Sequence, residues 1–135
     1  MGETEPPRGS LMGMYTEMFV SIELKQDTPS EVIDVLKAMC DMEPDADCLK
    51  DKPRRWAYMF NSGSYYTPDT SAREIRKDKT SGRYSLIGKG DIKNYDSEIE
   101  QFFEFVKPWS DREDDFIGFM RYEEAREPTL IYSGA

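Results

Sequence analysis

From position 14 onward the apolar residues fall at regular intervals. Met18, Val20, Ile22 and Leu24 alternate with Glu17, Ser21, Glu23 and Lys25, the period of two that sets one face of a strand against a core. Phe19 breaks the polar side of that alternation. Thr28-Pro29-Ser30-Glu31 follows and reads as a helix start, with Thr28 as the cap, Pro29 at the first position and Glu31 completing a capping box. Val32, Val35, Leu36 and Met39 then recur at the i, i+3, i+4, i+7 spacing of an amphipathic helix, which Glu43-Pro44 is expected to stop.

Residues 44–53 are polar and bounded by prolines, so they read as a loop. Residues 55–60 place Trp56, Tyr58 and Phe60 at alternate positions and predict a second strand with an aromatic side. Residues 61–64 and 67–70 carry turn chemistry around Tyr65-Tyr66. Residues 73–77 and 83–93 predict the arms of a hairpin whose turn ends at Gly82. Asn94 is placed to cap a second helix, in which Ile99, Phe102, Phe103 and Val106 repeat the apolar stripe before Pro108. Residues 116–123 read as a strand, with Ile117 and Phe119 opposed to Gly118, Met120 and Tyr122. A turn over 124–128 leads to a final strand at 129–132.

Two amphipathic helices among antiparallel strands can bury both stripes against one face of a shared sheet. The expected fold is therefore α+β, a two-layer sandwich of the ferredoxin-like split βαβ kind, with an inserted hairpin and an extra C-terminal strand. Residues 14–135 are read as one such domain. Residues 1–13 are read as a flexible tail, either native or in part an engineered remnant, since Pro7-Arg8-Gly9-Ser10 also ends a common protease-cleavage linker.

Composition narrows the class. The chain has 135 residues, 38% hydrophobic, 13% aromatic and 33% charged, as in globular domains with ring-rich cores and unlike disordered tails. No apolar run approaches the roughly 18 residues of a membrane span, and the expected residence is the cytoplasm. Cys40 and Cys48 are expected to remain free thiols there. Charge is laid down in blocks. Residues 1–49 hold 11 acids against 3 bases, residues 50–93 hold 5 against 11, and residues 94–135 hold 11 against 4, within a net charge of −9. A basic region on an acidic body favours a charged partner.

Asp91-Ile92-Lys93-Asn94-Tyr95-Asp96-Ser97-Glu98-Ile99-Glu100, Phe105-Val106-Lys107-Pro108-Trp109, Phe116-Ile117-Gly118, Arg121-Tyr122-Glu123-Glu124 and Pro128-Thr129-Leu130-Ile131-Tyr132 resemble a group of small uncharacterised proteins of bacterial, prophage and phage genomes. The resemblance spans residues 61–132 and brings no catalytic residues with it. It implies a phage or mobile-element setting, in which the cytoplasm would be that of a host cell and the partner part of host machinery.

The chain contains no histidine, which removes Ser-His and Cys-His nucleophile chemistry within one chain. Glu123-Glu124 and Asp111 with Asp114-Asp115 lack the spacing of a calcium loop, and Gly88-Lys89-Gly90 lacks the length of a phosphate-binding loop and reads as a bulge or a close strand contact. No catalytic residue, metal site or cofactor is assigned; the reading leans to a non-enzymatic protein, with an enzyme whose paired acids form a site only with a metal as a third option. The leading candidate surface is an anionic ridge of Glu98, Glu100, Glu104, Glu123, Glu124 and Glu127 that would bind a basic patch on a host protein. The alternative is a nucleic-acid site in residues 50–93, where Arg55, Arg73, Arg76 and Arg83 would hold phosphates and Trp56 and Tyr58 would stack bases. Phe19, Tyr65, Tyr66, Trp109 and Tyr132 exceed what one core is expected to absorb, so any exposed cluster of them would suit a protein interface or a homodimer.

Overall fold

The computed structural model describes residues 15–61 and 72–134. Five strands, β1 (Thr16–Glu23), β2 (Ala72–Lys77), β3 (Tyr84–Ile92), β4 (Phe116–Tyr122) and β5 (Thr129–Tyr132), form one sheet in the order β2-β3-β1-β4-β5. Every neighbouring pair is antiparallel. Helix α1 (Ser30–Cys40) links β1 to β2 and helix α2 (Glu98–Val106) links β3 to β4. Two interleaved βαβ units, each split by a strand of the other, make this the ferredoxin-like arrangement with β5 added at one edge. The β2–β3 hairpin is integral to that fold and not an insertion, because residues 55–60 do not supply a strand. Tyr65-Tyr66 and the turns around it fall outside the described residues.

One face of the sheet carries the core. Met18, Val20 and Ile22 of β1 and Leu86 and Ile92 of β3 pack with both helical stripes, Val32, Val35, Leu36 and Met39 on α1 and Ile99, Phe102, Phe103 and Val106 on α2. Gly88 and Gly90 lie on this face opposite Val20 and Met18. A side chain at Gly88 would meet the Phe60 ring at 2.6 Å, and one at Gly90 would meet the Met59 carbonyl at 2.0 Å. The glycine pair is thus the floor on which residues 59–61 lie.

Those residues belong to a short 3-10 turn (Arg54–Tyr58) and its continuation, not to a strand. Trp56, Ala57, Met59 and Phe60 are buried while Tyr58 is 48% exposed. The alternation of rings at 56, 58 and 60 is therefore coincidental, and the burial rhythm is helical. At the start of α1, Thr28 forms no cap: its hydroxyl donates to the Lys25 carbonyl at 2.6 Å, and the Pro29 carbonyl accepts the Val32 and Ile33 amides. α1 stops at Cys40, before Glu43-Pro44, with Met42 at φ 52°. The residue at the cap position of α2 is Ser97 and not Asn94, but the Asn94 side-chain oxygen accepts the Ile99 N–H at 2.8 Å. In β4 a bulge between Phe116 and Gly118 turns Ile117 into the core and sends Phe119 to the opposite face from it, separating two residues that alternation had paired.

Candidate interaction surface

No described element covers the second face of the sheet. Residues opposite one another in antiparallel strands share a face, and Phe19 lies opposite Phe119, which lies opposite Leu130. The Phe19 and Phe119 rings stack with centroids 5.7 Å apart and planes at 23°. On the same face Phe116 and Tyr132 meet edge to face at 5.9 Å. Ile87, Phe116, Leu130 and Tyr132 are all exposed. The four rings and two aliphatic side chains span β3, β1, β4 and β5 of the sheet. Toward the end where β1 terminates, a broad concavity of about 1040 Å³ opens beside Phe116 and Ile87, lined by charges of both signs, among them Glu23, Glu74, Arg76 and Asp111.

Three arginines on or beside this face have carboxylate partners. Arg121 Nε donates to Glu17 at 2.7 Å, its cross-strand neighbour in β1, and Arg76 donates to Glu74 through Nε at 3.1 Å and through a terminal nitrogen at 2.9 Å. Arg83 lies 3.5 Å from Asp111.

One member of the anionic ridge does not reach the surface. Glu98 is 3% exposed and belongs to the interior. Burial alone would raise its pKa, yet hydrogen bonds from Arg55 and from the Asp96 amide outweigh that cost and hold the carboxyl below its ordinary value. Glu104 is bound to Lys107 at 2.9 Å, Glu100 accepts from the Asn94 amide, and Glu123 accepts the Tyr15 N–H. Glu124 and Glu127 stand exposed in the turn before β5.

The basic set is likewise divided. Arg55 Nη1 contacts Glu98 at 2.6 Å and its guanidinium lies 5.3 Å from the centre of the Tyr95 ring. Trp56 is buried, with its indole N–H on the Glu98 carbonyl at 3.1 Å. A leading member of the anionic ridge and two members of the nucleic-acid set are therefore one structural knot, which ties the 54–58 turn to the start of α2. Arg73, Arg76 and Arg83 lie on or beside the β2–β3 hairpin and Tyr58 is on the 3-10 turn.

The sequence did carry a signal for the uncovered face. Phe19 interrupts an otherwise polar alternation, and Tyr132 exceeds the needs of the core; Trp109, in contrast, packs partly buried against it. Phe119, Phe116, Leu130 and Ile87 carry no such signal in the sequence, because the β4 bulge and the order of strands are needed to bring them together. Cys40 and Cys48 are both free. Burial pushes the Cys40 thiol up to about 11, with the Asp41 carboxylate adding to the effect. Among the described residues no three metal-ligating side chains converge and no helix is long and apolar enough to cross a membrane. No protein-family model matches the chain, no curated protein matches it, and no solved structure matches it.

Proposed function

We propose that this protein is a non-enzymatic interaction module that binds another protein through the uncovered face of its sheet. The observation that carries the reading is the ring cluster of Phe19, Phe119, Phe116 and Tyr132 with Leu130 and Ile87, set among ion pairs that are already satisfied within the chain. Interface cores are rich in rings and poor in net charge, with a polar rim, and this face has that composition. A nucleic acid would stack on the same rings, but its affinity rests on cations free to neutralise phosphates, and Arg121, Arg76 and Arg83 each have a carboxylate partner. Glu124 and Glu127 then act at the rim, where charge steers encounter more than it holds a complex. The resemblance to proteins of phage genomes directs the search for the partner to a host cell.

The test is affinity capture from host lysate with and without nuclease, run on the wild type, on a Phe19→Thr/Phe119→Thr variant and on a Glu124→Lys/Glu127→Lys variant. Threonine keeps the strand preference while removing both rings. The same identified protein should be retained by the wild type and by the rim variant and be lost, at least about tenfold, from the ring variant. Capture that survives loss of the rings, or that requires nucleic acid, would contradict the reading.

A further inference from the structure

The two edges of the sheet differ in a way that bears on self-association. β2 presents Arg73, Glu74, Arg76 and Lys77, all exposed, the charged edge by which sheets avoid pairing with other strands. β5 presents Thr129-Leu130-Ile131-Tyr132, and every position from Pro128 to Gly134 is uncharged. Leu130 and Tyr132 are each 50% exposed. On a chain of net charge −9, an uncharged edge is where a second copy can approach with least repulsion.

Hydrogen-bond direction specifies the pairing. The Ser133 amide donates inward, to the Asp115 carbonyl at 2.8 Å. Because these directions alternate along an antiparallel strand, Ile131 also faces β4, whereas Leu130 and Tyr132 turn their N–H and C=O groups outward. Their side chains lie on the uncovered face, opposite Phe119 and Phe116.

We propose that β5 is a self-pairing edge, which joins two copies of this chain in antiparallel register about a two-fold axis at Ile131. That axis sets Leu130 of one copy opposite Tyr132 of the other, and each of the two symmetry-related pairs exchanges both of its N–H···O bonds. Thr129 then faces Ser133 and Pro128 faces Gly134, so no like charges meet within the strand. An axis at Leu130 would instead set Pro128, which has no N–H, against the outward carbonyl of Tyr132. The Ile131 register is therefore the favoured one. It makes a continuous sheet of both copies and abuts their ring clusters, with a Leu–Tyr cross-strand contact on each side of the axis. The proposal stands independently of what the uncovered face binds.

The experiment is sedimentation equilibrium of the pure full chain from about 5 µM to about 1 mM, since an edge this short gives a weak interface, paired with amide hydrogen exchange by NMR at both ends of that range. The average mass should climb from the monomer value toward twice it. Exchange at Leu130 and Tyr132 should slow at least tenfold at the high concentration while Ile131, bonded to β4, stays unchanged. Leu130→Pro removes an outward donor, and Leu130→Lys adds an edge charge; either should weaken association at least tenfold. If neither variant folds, the wild-type exchange pattern decides. Monomer mass at every concentration, association without protection of Leu130 and Tyr132, or association unchanged in a folded Leu130 variant would overturn the proposal.

Discussion

Glu98 and Arg55 illustrate how a residue type can mislead about its role. Each lies in a block of like charge along the chain, which reads as a charge available to a partner; folded, they are bound to one another at 2.6 Å. Sequence spacing of 43 residues gives no hint of that pairing, which depends on where the 54–58 turn meets α2. Arg55→Ala should cost about 2–3 kcal/mol in chemical denaturation, somewhat under the figure for a fully buried pair because the Arg55 side chain is partly exposed. Glu124→Gln, on an exposed turn, should change stability by less than about 0.5 kcal/mol. Glu98 also sets an acid limb. Its folded pKa is depressed, so its contribution is present above the ordinary value of 4.5 and is lost as pH falls through the folded value. Stability measured across that range should decline less steeply in Glu98→Gln. Cys40 acts in the opposite direction. With its thiol raised from 9.0 to about 11, its contribution is complete below pH 9.0 and is lost as pH rises to about 11. Thermal melts over that interval should fall more for the wild type than for Cys40→Ala, by about 2–3 kcal/mol at the alkaline end.

At the scale of elements, the strongly periodic segments were legible and the irregular ones were not. Both helical stripes fall where the i, i+3, i+4, i+7 spacing puts them, and the β2–β3 turn ends at Gly82, whose φ is +77°. The 54–58 turn was misread because three rings at alternate positions mimic a strand. Its continuation, residues 59–61, lies on Gly88 and Gly90 of β3, a tertiary contact that the local spacing does not show. Ile117 and Phe119 were misread because a bulge inserts one residue into the alternation, and nothing in the local sequence requires one. Phe102 is fully buried and meets Trp56, Phe60 and Phe103 edge to face. Phe102→Ala should cost about 3–5 kcal/mol in a denaturant titration. Gly90→Ala should be destabilising despite the better strand propensity of alanine, by about 1–3 kcal/mol, because the Met59 carbonyl occupies the space a methyl group needs. An unchanged or raised unfolding midpoint would mean that residues 59–61 do not rest on β3.

For the molecule as a whole, the ferredoxin-like topology gives one sheet face to the core and leaves the other uncovered by any described element. The block pattern of charge predicts a basic region on an acidic body, but folding sets several of those charges against opposite ones, as in Arg121 with Glu17 and Arg76 with Glu74. What remains distinctive is apolar. The uncovered face was only half legible: Phe19 and Tyr132 stood out as surplus rings, whereas Phe116, Phe119, Leu130 and Ile87 joined them only through strand order. The most direct measurement is an NMR titration of isotope-labelled protein with its captured partner, following the Ile87 and Leu130 methyl groups, the Phe19 and Phe119 rings, and the amides of residues 98–104 and 123–127. Binding through the uncovered face predicts that the methyl and ring signals shift or broaden first and furthest. Perturbation confined to residues 98–104 and 123–127, with the ring signals unmoved at saturation, would contradict it.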